Sequence, residues 1–281
     1  MIGDMQKWTP NVAGIIEHAR EIHPKTEIIS RLVSGEIHRS NYEKVCIRSR
    51  KLASALEKDG VKKGDVIATL ALNTYRHLEM YYGISGMGAI THTLNFRLHP
   101  EQAVYIINHA EDKIIFVELP FVPILEALQE NLKTVEKYVV LCEVDEMPET
   151  TLKNAISYEE YIQDGDENYS WPTLEDDAAC ALCYTSGTTG NPKGVLYSHK
   201  SNVIHAQAAL TAMTIKPDDT ILMVVPLFHV LAWGIPYFGP MNGLKLVMPG
   251  MQMEGEPLFE LIDQEDVTLA FGVPTIWMGL L

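Results

Sequence analysis

Apolar residues at Tyr42, Val45, Leu52 and Leu56 recur at helical spacing, and Gly60 follows the run. Ser40-Asn41-Tyr42-Glu43 has the form of a capping box, so the helix is expected to open there. Beyond it, short apolar runs alternate with helical patterns. VIATLAL reads as a buried strand, HLEMYYGISGMGA as a helix, and PEQAVYIINHA as a helix with Pro100 near its first turn. KIIFVE then reads as a strand, PILEALQENL as a helix and KYVVLC as a strand. Such alternation predicts an α/β fold with mostly parallel sheets flanked by helices. Residues 1–39, broken by Trp8, Pro10 and Pro24, read as an irregular segment. Residues 40–175 read as a first α/β subdomain, closed by a polar surface excursion from Glu143 to Asp176. Residues 176–281 read as a second one, with AACALCY, VLYS, ILMVVPL, LKLVMPG and VTLAFGVP as strands. The last residues, TIWMGLL, begin a helix without a stop signal, so the chain is expected to be a fragment.

Thr220 to Leu244 contains no Asp, Glu, Lys or Arg, a length that could span a membrane. Pro226, Pro236, Pro240, Gly234, Gly239 and Gly243 break it, which favours a strand, a turn and a short helix instead.

Composition narrows the function. The 281 residues are 47% apolar and 21% charged, an ordinary globular mixture. A net charge of −15 argues against a nucleic-acid footprint. The basic stretch Lys44–Lys63 is interleaved with acids and reads as a solvated helix face. MIGDMQKWTP is not a signal peptide, so the cysteines are expected reduced in a cytoplasmic protein. Cys180 and Cys183 lack a second pair for a metal site, and on a regular strand they would point to opposite faces.

One segment carries chemistry: Tyr184-Thr185-Ser186-Gly187-Thr188-Thr189-Gly190-Asn191-Pro192-Lys193-Gly194. Its glycines free the backbone to present N–H groups to an anion. Thr185, Ser186, Thr188 and Thr189 add hydroxyls, and Lys193 adds a cation. This set suits a polyphosphate. A Walker loop is excluded, because Lys193 lies between Pro192 and Gly194 and both flanks read as strands.

These residues resemble the phosphate loop of the adenylate-forming superfamily, which includes acyl-CoA synthetases, firefly luciferases and peptide-synthetase adenylation domains. Pro226-Leu227-Phe228-His229-Val230 and Gly272-Val273-Pro274-Thr275 resemble two later motifs of that family. HTLNFRL, HAEDK and FHVLAW together resemble bacterial medium- and long-chain fatty-acyl-CoA synthetases. The likeness runs from about Ser40 to Leu281 and implies the N-terminal part of the large domain of these enzymes. It implies ATP, Mg²⁺ and coenzyme A, with a fatty acid converted to acyl-adenylate and then acyl-CoA. Thr185, Ser186, Gly187, Thr188, Thr189, Gly190 and Lys193 would hold phosphates, and Thr185 would also help place the metal. His229 would sit beside the reacting carboxylate as the catalytic candidate. Trp233, Gly234, Gly272, Val273 and Pro274 would join it around the acyl chain. Trp233 is expected one helical turn from His229, as a gate or pocket wall that Gly234 leaves room to swing.

The family's adenine, ribose and C-terminal lysine elements are absent from this sequence, so the chain alone is expected to form no acyl-adenylate. The resemblance also implies a homodimer through the N-terminal segment with Trp8 and Ile15-Ile16. Another carboxylic acid as substrate, or a non-catalytic nucleotide- or acyl-binding protein, are the alternatives. His92, His99, His109 and His205 show no partner pattern and read as surface or core residues, and His199 as structural support.

Overall fold

The computed structural model describes residues 4–5, 8–185 and 191–280. Its strands are β1 (Glu27–Arg31), β2 (Ile37–Asn41), β3 (Val66–Leu70), β4 (Ile90–Thr93), β5 (Ile114–Val117), β6 (Lys137–Val140), β7 (Ala155–Ser157), β8 (Ala179–Thr185), β9 (Lys193–Ser198), β10 (Thr220–Leu222), β11 (Lys245–Met248) and β12 (Leu269–Ala270). Its helices are α1 (Val12–Ile22), α2 (Tyr42–Lys58), α3 (Tyr75–Gly86), α4 (Pro100–Ala110), α5 (Val122–Leu128), α6 (Tyr158–Gln163), α7 (His199–Ala212), α8 (Ile235–Asn242), α9 (Gly255–Gln264) and α10 (Pro274–Met278).

The strands form a seven-stranded sheet, β7-β6-β5-β3-β4-β8-β9, and a five-stranded sheet, β12-β10-β11-β1-β2. Pairing is parallel except for β1–β2 and β8–β9. Helices α1, α3, α7 and α8 lie in an apolar layer that joins both sheets: Cys180 and Ala181 reach it from one, Leu246 and Met248 from the other. All twelve residues of α3 are buried, which explains why that segment is apolar without a clean polar face. No described helix is long and apolar enough to cross a membrane.

The mostly parallel α/β expectation holds, but the divisions drawn along the chain do not match the sheets. The described residues up to 39 are not an irregular segment: they carry α1, β1 and most of β2, and β1 pairs with β11 some two hundred residues later. A five-residue strand whose partners are that distant leaves little local signal. The polar excursion contains β7 and α6, and β8 and β9 complete the first sheet rather than opening the second. The cap of α2 is Asn41, which accepts from Lys44 N at 2.9 Å, one residue later than expected.

Candidate functional site

The glycine-rich segment lies between antiparallel strands, as its flanks predict. Tyr184 pairs with Gly194 and Thr185 with Lys193. Thr185 and Lys193 are exposed at the open end of this hairpin, with Thr185 Oγ1 3.5 Å from the Lys193 carbonyl. Ser186, Gly187, Thr188, Thr189 and Gly190 lie outside the described residues. A bulge between Ala179 and Ala181 shifts the alternation of β8. Cys180, Ala181 and Cys183 therefore share the face that packs on the helical layer, against the opposite-face expectation. Burial pushes the Cys180 thiol up to about 12, so it is protonated and inert at neutral pH.

His229 follows β10 on a segment tied down from several sides. Asn73, on the loop after β3, donates to the carbonyls of Met223 (2.6 Å) and Val225 (2.9 Å) and accepts from Leu227 N (2.8 Å). The Tyr81 hydroxyl donates to the Leu227 carbonyl, and Thr93 Oγ1 to that of Phe228 at 3.3 Å. These contacts carry His229 to the hairpin: His229, Phe228, Thr185, Tyr184, Pro192 and Thr93 line one cavity of about 260 Å³. So Thr185, of the residues expected to meet phosphate, and His229, expected beside the carboxylate, line the same cavity.

Trp233 does not join them as expected. Residues 230–233 are not α-helical but form a left-handed turn, with φ of 40°, 44°, 48° and 55°, followed by Gly234 at 83°. The turn sends Trp233 into a neighbouring cavity of about 420 Å³, with His205, Ser201, Asn202 and Gly234. Tyr197 and Val230 line both cavities and form the partition between them. Gly234 leaves room for His205 rather than for an indole swing: a Cβ there would lie 2.6 Å from His205 Nδ1. Gly272, Val273 and Pro274 line neither cavity. Gly272 instead admits the Trp277 ring, whose Nε1 donates to the Gly272 carbonyl at 3.2 Å, and Pro274 opens α10.

Three histidines set aside in the sequence acquire partners here. His205 walls the second cavity, while His92 and His109 lie against Tyr184. His199 Nδ1 accepts from Val12 N at 3.2 Å, which fits structural support, and burial lowers its pKa to about 4. Among the described residues no cluster of three or more His, Cys, Asp or Glu could hold a metal. Thr185 offers a single exposed neutral oxygen. That donor fits a Mg²⁺ that keeps its waters and arrives on a polyphosphate. Asn73 and Tyr197 are the site-building residues that sequence reasoning missed, and Tyr184 reads as part of the motif without a role of its own. Only a three-dimensional contact distinguishes them from ordinary polar and aromatic positions.

The fold is a mostly parallel α/β one in which Thr185, at the root of a hairpin that resumes at Lys193, and His229 line one cavity. The chain belongs to the AMP-binding enzyme family, whose model matches residues 16–281. It is 46% identical over 283 aligned positions to a medium-chain-fatty-acid–CoA ligase of Ectopseudomonas oleovorans, covering 100% of this chain and 52% of that protein. It is 44% identical to a 3-methylmercaptopropionyl-CoA ligase of Ruegeria lacuscaerulensis, with the same coverage of each. A long-chain-fatty-acid–CoA ligase of Thermus thermophilus is 42% identical, covering 96% of this chain and 49% of that one. The chain thus spans about half the length of these relatives. Among solved structures, an anthranilate CoA ligase in complex with anthranoyl-AMP superposes with a TM-score of 0.86 at 21% identity, covering 99% of this chain and 52% of that one, which supports the fold.

Proposed function

We propose that the protein containing this chain is an ATP-dependent fatty-acid–CoA ligase. The observation that carries the reading is the convergence of Thr185 and His229 on one cavity, beside a hairpin that ends on Lys193. A carboxylate oxygen attacks the α-phosphorus of ATP, and the bond to the leaving pyrophosphate breaks. The coenzyme A thiolate then attacks the acyl carbon, and AMP leaves. In this reading Thr185, Ser186, Gly187, Thr188, Thr189, Gly190 and Lys193 hold the polyphosphate by many neutral donors and one cation. Thr185 contributes one oxygen to the Mg²⁺ that accompanies it. His229 orients the carboxylate, and the Trp233 cavity takes part of the chain. Gly272, Val273 and Pro274 belong to the acyl wall only if segments outside this chain bring the substrate to them. Catalysis here is positioning and charge stabilisation.

The four cysteines are free and buried, in keeping with a reducing cytoplasm. For a homodimer, Ile15 and Ile16 are unavailable, because both are buried in the protein's own core. Trp8, 57% exposed above a groove with His18 and Met241, is the remaining contact.

ATP–pyrophosphate exchange on the protein containing this chain tests the reading, with a series of saturated fatty acids and 3-methylmercaptopropionate. Exchange that depends on one of these acids is expected. Exchange with amino or aryl acids alone would replace the fatty-acid assignment, and no acid-dependent exchange would end it.

A further inference from the structure

Next to the hairpin, outside the residues assigned above, lies a buried histidine–aspartate pair. His92 on β4 and Asp112, just after α4, are both fully buried, with Nδ1 2.8 Å from one carboxylate oxygen and 3.1 Å from the other. Among the described residues His92 Nε2 has no hydrogen-bond partner. A buried polar pair with one nitrogen left unpartnered costs more than an apolar filling of the same space, so packing alone does not account for it. Its surroundings do. The His92 ring lies against Tyr184, with centroids 5.1 Å apart. On its other side Tyr184 meets His109, whose Nδ1 is 2.6 Å from the phenol oxygen. The cross-strand partner of Tyr184 is Gly194, where a Cβ would lie 3.2 Å from the phenol Cζ, so the ring rests on bare backbone. His109 and Asp112 stand three residues apart, at the end of α4 and in its connection to β5. Glu111 there turns left-handed at φ 58°, and Asp112 N donates to the Ile107 carbonyl. One short segment thus grips Tyr184 twice, directly through His109 and through Asp112 by way of His92.

We infer that Asp112, His92 and His109 are positioning residues that fix Tyr184 and, through it, set Thr185 and Lys193 at the root of the phosphate-binding segment. The ligand side of this inference rests on the proposed function, but the positioning does not. None of the three residues touches the reacting atoms. Their role is to hold the hairpin root in one place, as outer partners orient a liganding group.

Three variants of the 281-residue chain test it: Asp112→Leu, Tyr184→Phe and the conservative Asp112→Asn. The first readout is the amide resonances of Thr185, Lys193 and Gly194, with those of Phe116 and Val139 in the sheet interior as reference. Asp112→Leu and Tyr184→Phe are expected to move the hairpin resonances and leave the reference unmoved, and Asp112→Asn to restore most of the wild-type positions. The second readout is affinity for magnesium pyrophosphate, measured well below the unfolding temperature. Asp112→Leu is expected to weaken it about tenfold. Hairpin resonances unmoved in Tyr184→Phe and Asp112→Leu, with a lower melting temperature only, would reduce these groups to core residues and overturn the inference. If the resonances move but the wild-type chain binds no pyrophosphate, the positioning role stands and the assignment of this hairpin to phosphate is what fails.

Discussion

Val230, Leu231, Ala232 and Trp233 all hold φ between 40° and 55°, a region that side chains with a Cβ enter at a cost. A β-branched valine there is the least comfortable of the four. The turn persists because Leu231 and Ala232 are almost fully buried and Tyr82 clamps the Pro236 carbonyl just beyond it. Val230 is 48% exposed, so trimming it loses little apolar burial. Val230→Gly is therefore expected to raise stability by about 1 kcal/mol, read as a higher melting temperature. Trp233 is 36% exposed, too open for a core tryptophan. Trp233→Ala should lower stability by less than the roughly 3–5 kcal/mol of a buried aromatic. Under the proposed function, its larger effect falls on chain-length preference in kcat/KM, where a methylene is worth about 1–3 kcal/mol. A large melting-temperature loss with an unchanged preference would assign it to the core after all.

At the scale of elements, α2 and α3 approach closely because Gly83 has no side chain. A Cβ there would lie 2.8 Å from Leu52 Cδ2 and 2.9 Å from the Ser49 carbonyl oxygen. Gly83→Ala gains about 1 kcal/mol of helix propensity. The carbonyl belongs to the backbone of α2 and cannot yield, so overpacking of about 1–3 kcal/mol wins and the variant melts lower. Helix α1 is stitched to α7 by neutral His199, whose folded pKa of about 4 lies below the ordinary 6.5. Between those two values the unfolded chain takes up a proton that the folded chain refuses. Stability then falls as pH drops through that window, by at most about 3 kcal/mol from this residue. His77, also lowered to about 4 by burial, acts in the same sense, whereas Glu118, raised to about 7, acts oppositely below that pH. Denaturation of His199→Gln at pH 7 and pH 5 isolates the effect: the variant should lose less stability than wild type between them.

Across the whole molecule, Asn73 is one of the ties that join the two sheets near the candidate site. Asn73, 3% exposed, uses both ends of its side chain on the chain leaving β10, and its carbonyl accepts from Gly250 N beyond β11. Asn73→Ala leaves the amide of Leu227 and the Met223 and Val225 carbonyls without that partner, which should cost about 3 kcal/mol or more. It should also displace Phe228 and His229. Asn73→Asp tests whether geometry alone suffices, because it keeps the acceptor for Leu227 and loses both donations. If Asn73→Ala melts within a degree of wild type, the two sheets are held by the helical layer instead.

The sequence by itself determined most of the elements. Local periodicity and punctuation dictate α2, α3, α4, β3, β5 and β6, and short-range chemistry marks Thr185 to Lys193 as the candidate for a polyphosphate, because these signals lie within a turn or a strand of the residues concerned. What only the tertiary structure decided lies at long range. β1 finds β11 across the chain, β4 buries its His92 by pairing with a distant Asp112, and the bulge in β8 reverses which cysteines share a face. The left-handed turn after His229 belongs here too. No residue in Val230-Leu231-Ala232-Trp233 prefers positive φ, so its conformation is imposed by burial and by the contacts that hold its ends, and those exist only once both sheets have closed on the helices between them.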